Sequence, residues 1–77
     1  MEDISVFIKK IESEIDGLAP GVLQADTRFR ELPEWSSMHA LIIIALAETE
    51  YDVSISGEDL RGSKTILDIY NVVSSRS

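Results

Sequence analysis

The stretch Met38-His39-Ala40-Leu41-Ile42-Ile43-Ile44-Ala45-Leu46-Ala47-Glu48 is apolar nearly all the way round a helix, and in a chain of 77 residues it limits the fold more than any other feature. Read alone, Ile42-Ile43-Ile44 also suits the middle of a buried strand, because β-branched side chains favour strands. The flanking Ala40, Leu41, Ala45, Leu46, Ala47 and Glu48 are good helix formers, and the run is long for a strand. A helix from Ser36 or Ser37 to about Tyr51 is therefore expected, with either serine as its cap. A helix apolar on every face has to cover more than one side, so the core takes one face and a partner is available for the other. Its wholly apolar part, Ala40 to Ala47, is less than half of the roughly 20 residues that span a bilayer, so no membrane insertion is expected.

The other segments supply the rest of a core. From Asp3 to Leu18, Ile4, Phe7, Ile8, Ile11, Ile15 and Leu18 recur at helical spacing with charged residues between them. An amphipathic helix follows, with Asp3 as its cap and Gly17 as its stop. From Ala19 to Trp35 the periodicity fails, and Pro20, Gly21 and Pro33 punctuate a long crossover. A loop of this length in a small domain has to be held by its own side chains. Phe29 and Leu32 are the expected pins, and Trp35 is expected to close the core beside the second helix. Asp52 to Gly57 reads as extended or turning, and Ser56 can cap a single turn through Glu58, Asp59 and Leu60. Gly62 and Ser63 are expected to end that turn and cap a last helix, in which Ile66, Ile69, Tyr70 and Val73 share a face. Ser74 to Ser77 reads as a frayed tail. The expected fold is all-α: a small four-helix bundle of three longer helices and one short one, with a long loop between the first two, in a single domain over residues 1–77.

Fourteen Asp plus Glu stand against seven Lys plus Arg, a formal charge of −7. That excess argues against nucleic acid and anionic membrane surfaces, which recruit proteins by neutralising phosphate. It fits a monomer that repels its own copies and is drawn to basic patches on partners. A hydrophobic content of 44% is too high for a disordered acidic tail. With no cysteine, disulfides, Cys-ligated metal and a cysteine nucleophile are excluded. Met1-Glu2-Asp3 lacks the basic start of a secretory signal, so a cytoplasmic location is expected.

Candidate chemistry is sparse. Asp52, Ser54, Ser56 and Gly57 match positions of a calcium loop, but the bidentate carboxylate such a loop needs at position 12 is replaced by Ser63, so no metal site is expected. His39 lies near Ser36 and Ser37, yet a serine hydrolase also needs an orienting acid, an oxyanion hole and a pocket, and an exposed polar histidine near a helix start is the plainer reading. The carboxylates are dispersed, and no Gly-rich phosphate loop is present. What remains is a pair of serines opening an apolar helix after a long loop. That position suits a cap, and it equally suits a covalently attached phosphate, because free backbone N–H groups and the helix dipole favour negative charge there.

Phe29-Arg30-Glu31-Leu32, then Trp35-Ser36-Ser37-Met38, then Ala47-Glu48-Thr49-Glu50-Tyr51-Asp52-Val53-Ser54-Ile55 together resemble an acyl carrier protein. The family's modified serine lies in Asp-Ser-Leu, followed by a helix that ends in acidic residues, an aromatic and an extended segment. On this chain the serine falls on Ser37, with Ser36 in place of the Asp and Met38 in place of the Leu. The resemblance implies a non-enzymatic carrier of acyl groups, held as thioesters on a 4′-phosphopantetheine arm. A phosphopantetheinyl transferase would attach that arm to Ser37 from coenzyme A. It implies as partners the acyl-transfer or condensing enzymes of fatty-acid, polyketide or a related specialised biosynthesis, and shelter for short chains near Ile43, Ile44 and Ile69. An aminoacyl or peptidyl carrier, or a helical interaction module without the arm, are the alternatives. Ile42 and Thr49 stand where fatty-acid carriers often have acids. The face carrying Ser36, Met38, Leu41, Ile42, Ala45, Glu48 and Thr49 is therefore expected to meet partners through apolar and basic patches, with fewer salt bridges than is usual in the family.

Overall fold

A computed structural model describes residues 3–15, 21, 23–32 and 35–77. Four α-helices follow one another: α1 (Ile4–Glu14), α2 (Ser37–Tyr51), the short α3 (Gly57–Arg61) and α4 (Ile66–Arg76), with one 3-10 turn at Phe29–Glu31 before α2. No strand occurs among the described residues, so the all-helical bundle read from the sequence is the architecture observed. α1 packs on α2 and α4, and α3 bridges α2 and α4.

The core forms where the apolar stripes meet. Phe7, Ile11, Ile43, Ala47, Ile66 and Val73 have no exposed surface, and Ile69 and Phe29 are nearly as deep. Phe7 sits at the centre, its ring 5.7 Å from those of both Tyr51 and Tyr70. The Lys10 ammonium lies over the Tyr51 ring at 4.8 Å and 3.5 Å from Glu50, which ties α1 to the end of α2. α2 ends on Asp52 in the left-handed region (φ 54°), which Asp tolerates better than most residues, and the Val53 N–H donates back to the Ala47 carbonyl at 3.1 Å.

The crossover is held at more points than Phe29 and Leu32. Phe29 is buried and Leu32 partly so, while Leu23 is also buried. The Glu12 carboxylate accepts the N–H groups of Gly21 (3.0 Å) and Leu23 (3.3 Å). Arg30 donates to the carbonyls of Leu60 and Ser63. The carbonyls of Thr27 and Ala25 accept the N–H groups of Ile66 (3.2 Å) and Leu67 (2.9 Å), so the crossover satisfies two donors of the first turn of α4.

Of the local expectations at the helix ends, three are corrected and one holds. α1 ends at Glu14 with Ile15 extended but still buried, and Asp16, Gly17 and Leu18 lie outside the described residues. Asp3 stands at the N-cap position as expected, and its carboxylate accepts the Ser5 hydroxyl (2.6 Å). α4 is capped by Thr65 and not by Gly62 or Ser63, because the buried Ser63 hydroxyl donates to the Asp59 carbonyl (2.9 Å) while Thr65 and Asp68 form a capping box. The tail is helical to Arg76, whose guanidinium pairs with both Asp59 oxygens (2.7 and 2.9 Å) and the Ser54 carbonyl (3.1 Å).

That last contact predicts a pH dependence. The Arg76 hydrogen bond, aided by the Ser56 N–H, holds Asp59 down at about 2 against an ordinary 3.8. A carboxyl lowered by folding stabilises the native state above its unfolded value, and that contribution fades as pH falls through the folded one. Arg76→Ala should therefore melt lower than the parent at pH 5, with the gap shrinking from about pH 4 downward and closing near pH 2. A gap that stays constant across this window in thermal unfolding would show that Asp59 and Arg76 do not act as a pair.

Candidate functional site

The entrance to α2 is built on Ser36 and Ser37. Ser36 is extended (φ −141°, ψ 171°) and stands at the N-cap. Its carbonyl accepts from the N–H groups of His39 (3.0 Å) and Ala40 (3.4 Å), while its own N–H donates to Nδ1 of His39 (3.2 Å). Ser37 is thus the first helical residue, exposed, with the positive end of the helix dipole behind it. Of the two serines left open by the sequence, the structure makes Ser36 the cap and Ser37 the first residue of the helix.

Aromatic rings anchor this entrance. Trp35 lies 4.9 Å from the buried Phe29 ring and 5.4 Å from the His39 imidazole, in agreement with its expected place beside the helix start. His39 is partly buried and not the exposed residue expected. Its Nδ1 faces a backbone N–H, so that nitrogen is not available to take a proton from a serine hydroxyl.

The remaining candidate residues spread along the outer face of α2. Met38 and Leu41 are 67% and 65% exposed, Ala45, Glu48 and Thr49 are exposed, and Ile42 is partly buried at the margin. Core-facing Ile43, Leu46 and Ala47 occupy the opposite side, so Met38, Leu41 and Ala45 form an apolar stripe at helical spacing directed away from the core. One detail makes the stripe less polar than its sequence. The Thr49 hydroxyl donates back to the Ala45 carbonyl (3.0 Å). Glu50 lies on another side of the helix, seven residues from the buried Ile43, and pairs with Lys10 on α1. Glu48 is then the acid that this face retains. The chain-shelter residues Ile43 and Ile69 are packed in the core, and Ile44 is partly buried beside it. Among the described residues no cluster of His, Cys, Asp and Glu suits a metal ion, and no helix is long and apolar enough to cross a membrane.

Sequence reasoning missed the role of His39. The signal was its position three residues after a capping serine, where Glu or Gln is usual and an imidazole was not considered.

Comparison with known proteins agrees with the resemblance carried by these residues. The chain is 28% identical over 74 residues to an acyl carrier protein of Renibacterium salmoninarum, an alignment that covers 96% of this chain and 91% of that protein. No family model matches the chain, and no solved structure matches it significantly.

Proposed function

We propose that the chain is a carrier and not an enzyme, and that the Ser37 hydroxyl is the attachment point of a 4′-phosphopantetheine arm derived from coenzyme A. The observation that carries this reading is an exposed serine at the first position of an apolar helix, in a chain similar to an acyl carrier protein over 96% of its length. The fit is electrostatic as well as positional, because a phosphodiester at the first turn of α2 lies against the positive end of the helix dipole. When attached, such an arm supplies the thiol that this cysteine-free chain lacks, and cargo rides on it as a thioester.

The rest falls to the chain's own residues. Ser37 supplies the bridging oxygen, and Ser36 with His39 holds the helix start. The stripe of Met38, Leu41 and Ala45, margined by Ser36, Ile42, Glu48 and Thr49, meets the transferase and the acyl-transfer or condensing enzymes in turn. A tether of this kind raises the local concentration of cargo at a partner's active site to roughly the millimolar range, so delivery needs only brief docking. We read the setting as cytoplasmic and the pathway as fatty-acid, polyketide or related specialised biosynthesis. The test is co-expression with a broad-specificity phosphopantetheinyl transferase. Intact mass should rise by one arm, and persistent absence of that gain would favour a helical interaction module instead.

The apolar stripe carries its own prediction. Between about 0.1 and about 1 M salt the Debye length shrinks from about 10 to about 3 Å, which weakens docking through ion pairs but hardly touches apolar contact. Affinity for a cognate partner enzyme should change by less than about threefold over that range, while Leu41→Ala should weaken it about tenfold through loss of roughly 1.5 kcal/mol of burial. Binding that collapses with added salt would assign recognition to the acids.

A further inference from the structure

We infer that His39 is a positioning residue for Ser37: through its hydrogen bond from the Ser36 N–H and its contact with the Trp35 ring, it fixes the helix entrance that presents the Ser37 hydroxyl. The inference rests on the reading of Ser37 as the attachment serine.

The geometry is a capping box with an unusual member. At the third helical position a Glu or Gln side chain ordinarily reaches back to the N-cap N–H, and here Nδ1 of His39 makes that bond at 3.2 Å. The substitution has two physical consequences. First, the imidazole is a flat ring lying 5.4 Å from Trp35, which in turn lies 4.9 Å from the buried Phe29, so the cap is connected to the core by a row of rings. Second, a Glu there would set a negative charge two residues from Ser37, where an anionic phosphodiester has to form. A neutral imidazole gives the same hydrogen bond without that repulsion, and Ser36 likewise brings no charge.

The experiment uses the full chain and its His39→Gln and His39→Ala variants. Gln keeps a side-chain acceptor at this position, and Ala removes it. Two readouts are taken: hydrogen exchange of the Ser36 amide in the unmodified chain, and the rate of arm attachment by a broad-specificity transferase with coenzyme A. At about pH 8, His39→Ala should exchange the Ser36 amide about fivefold faster and accept the arm about fivefold more slowly, while His39→Gln stays within about twofold of wild type. Normal attachment with unchanged Ser36 exchange in His39→Ala, or attachment by His39→Gln as slow as by His39→Ala, overturns the role of His39 alone. If His39→Ala fails to fold, His39→Leu, which fills the space without accepting a hydrogen bond, takes its place. A wild-type chain that takes no arm overturns the Ser37 reading, and this role falls with it.

Discussion

Ser37→Ala is expected to abolish the gain of one phosphopantetheine mass on co-expression with a transferase, while Ser36→Ala retains it. The first substitution removes the oxygen that would bridge to phosphorus and leaves the helix nearly untouched, because alanine is the best helix former and Ser37 lies one residue inside α2. The second removes a cap side chain, at a cost of about 1 kcal/mol. It leaves in place the Ser36 N–H that donates to His39 and the carbonyl that accepts from His39 and Ala40, since both belong to the backbone. The contrast is all-or-none against a modest slowing, and intact mass reads it directly. Loss of the gain in Ser36→Ala with retention in Ser37→Ala would move the attachment point by one residue.

Phe7→Ala should lower the midpoint of thermal unfolding sharply. Truncating a buried Phe costs about 3 to 5 kcal/mol. A chain of 77 residues has about 4 to 12 kcal/mol of stability in all, at about 0.05 to 0.15 kcal/mol per residue. Phe7 is fully buried and stands between Tyr51 at the end of α2 and Tyr70 in α4, so its loss opens a cavity where three helices meet. For a domain of this size the midpoint of thermal unfolding should drop by more than about 12 °C. A drop of less than about 4 °C would show that the tyrosines collapse into the space and that the centre of the core lies elsewhere.

What the sequence disclosed depended on how local the deciding interaction was. The span of α2 followed from helix formers around Ile42-Ile43-Ile44, and the α3 turn followed from Ser56 with Asp59 three residues on. The cap of α4 was misplaced because Ser63 and Thr65 are both competent caps. The deciding facts were the burial of Ser63 against Asp59 and the Thr65–Asp68 box, the second of which was present in the sequence as Thr-x-x-Asp. The helical tail was not legible, since Arg76 is held by Asp59, 17 residues away. Nor were the ties from Glu12 and Arg30, because nothing in a linear pattern says which backbone groups a distant side chain will reach. At the candidate site the outward position of Met38, Leu41 and Ala45 could be drawn on a wheel. The turning aside of the Thr49 hydroxyl could not, as it depends on its rotamer.

The row of rings at the helix entrance also makes the protein its own optical gauge. Trp35 is the sole tryptophan, and it lies between a buried ring and the imidazole that faces the Ser36 backbone. Its emission colour and intensity therefore originate within two residues of Ser37 and next to no other indole. A change in that light during loading, docking or acidification belongs to this one corner of the molecule, so each event can be timed in solution without attaching a dye.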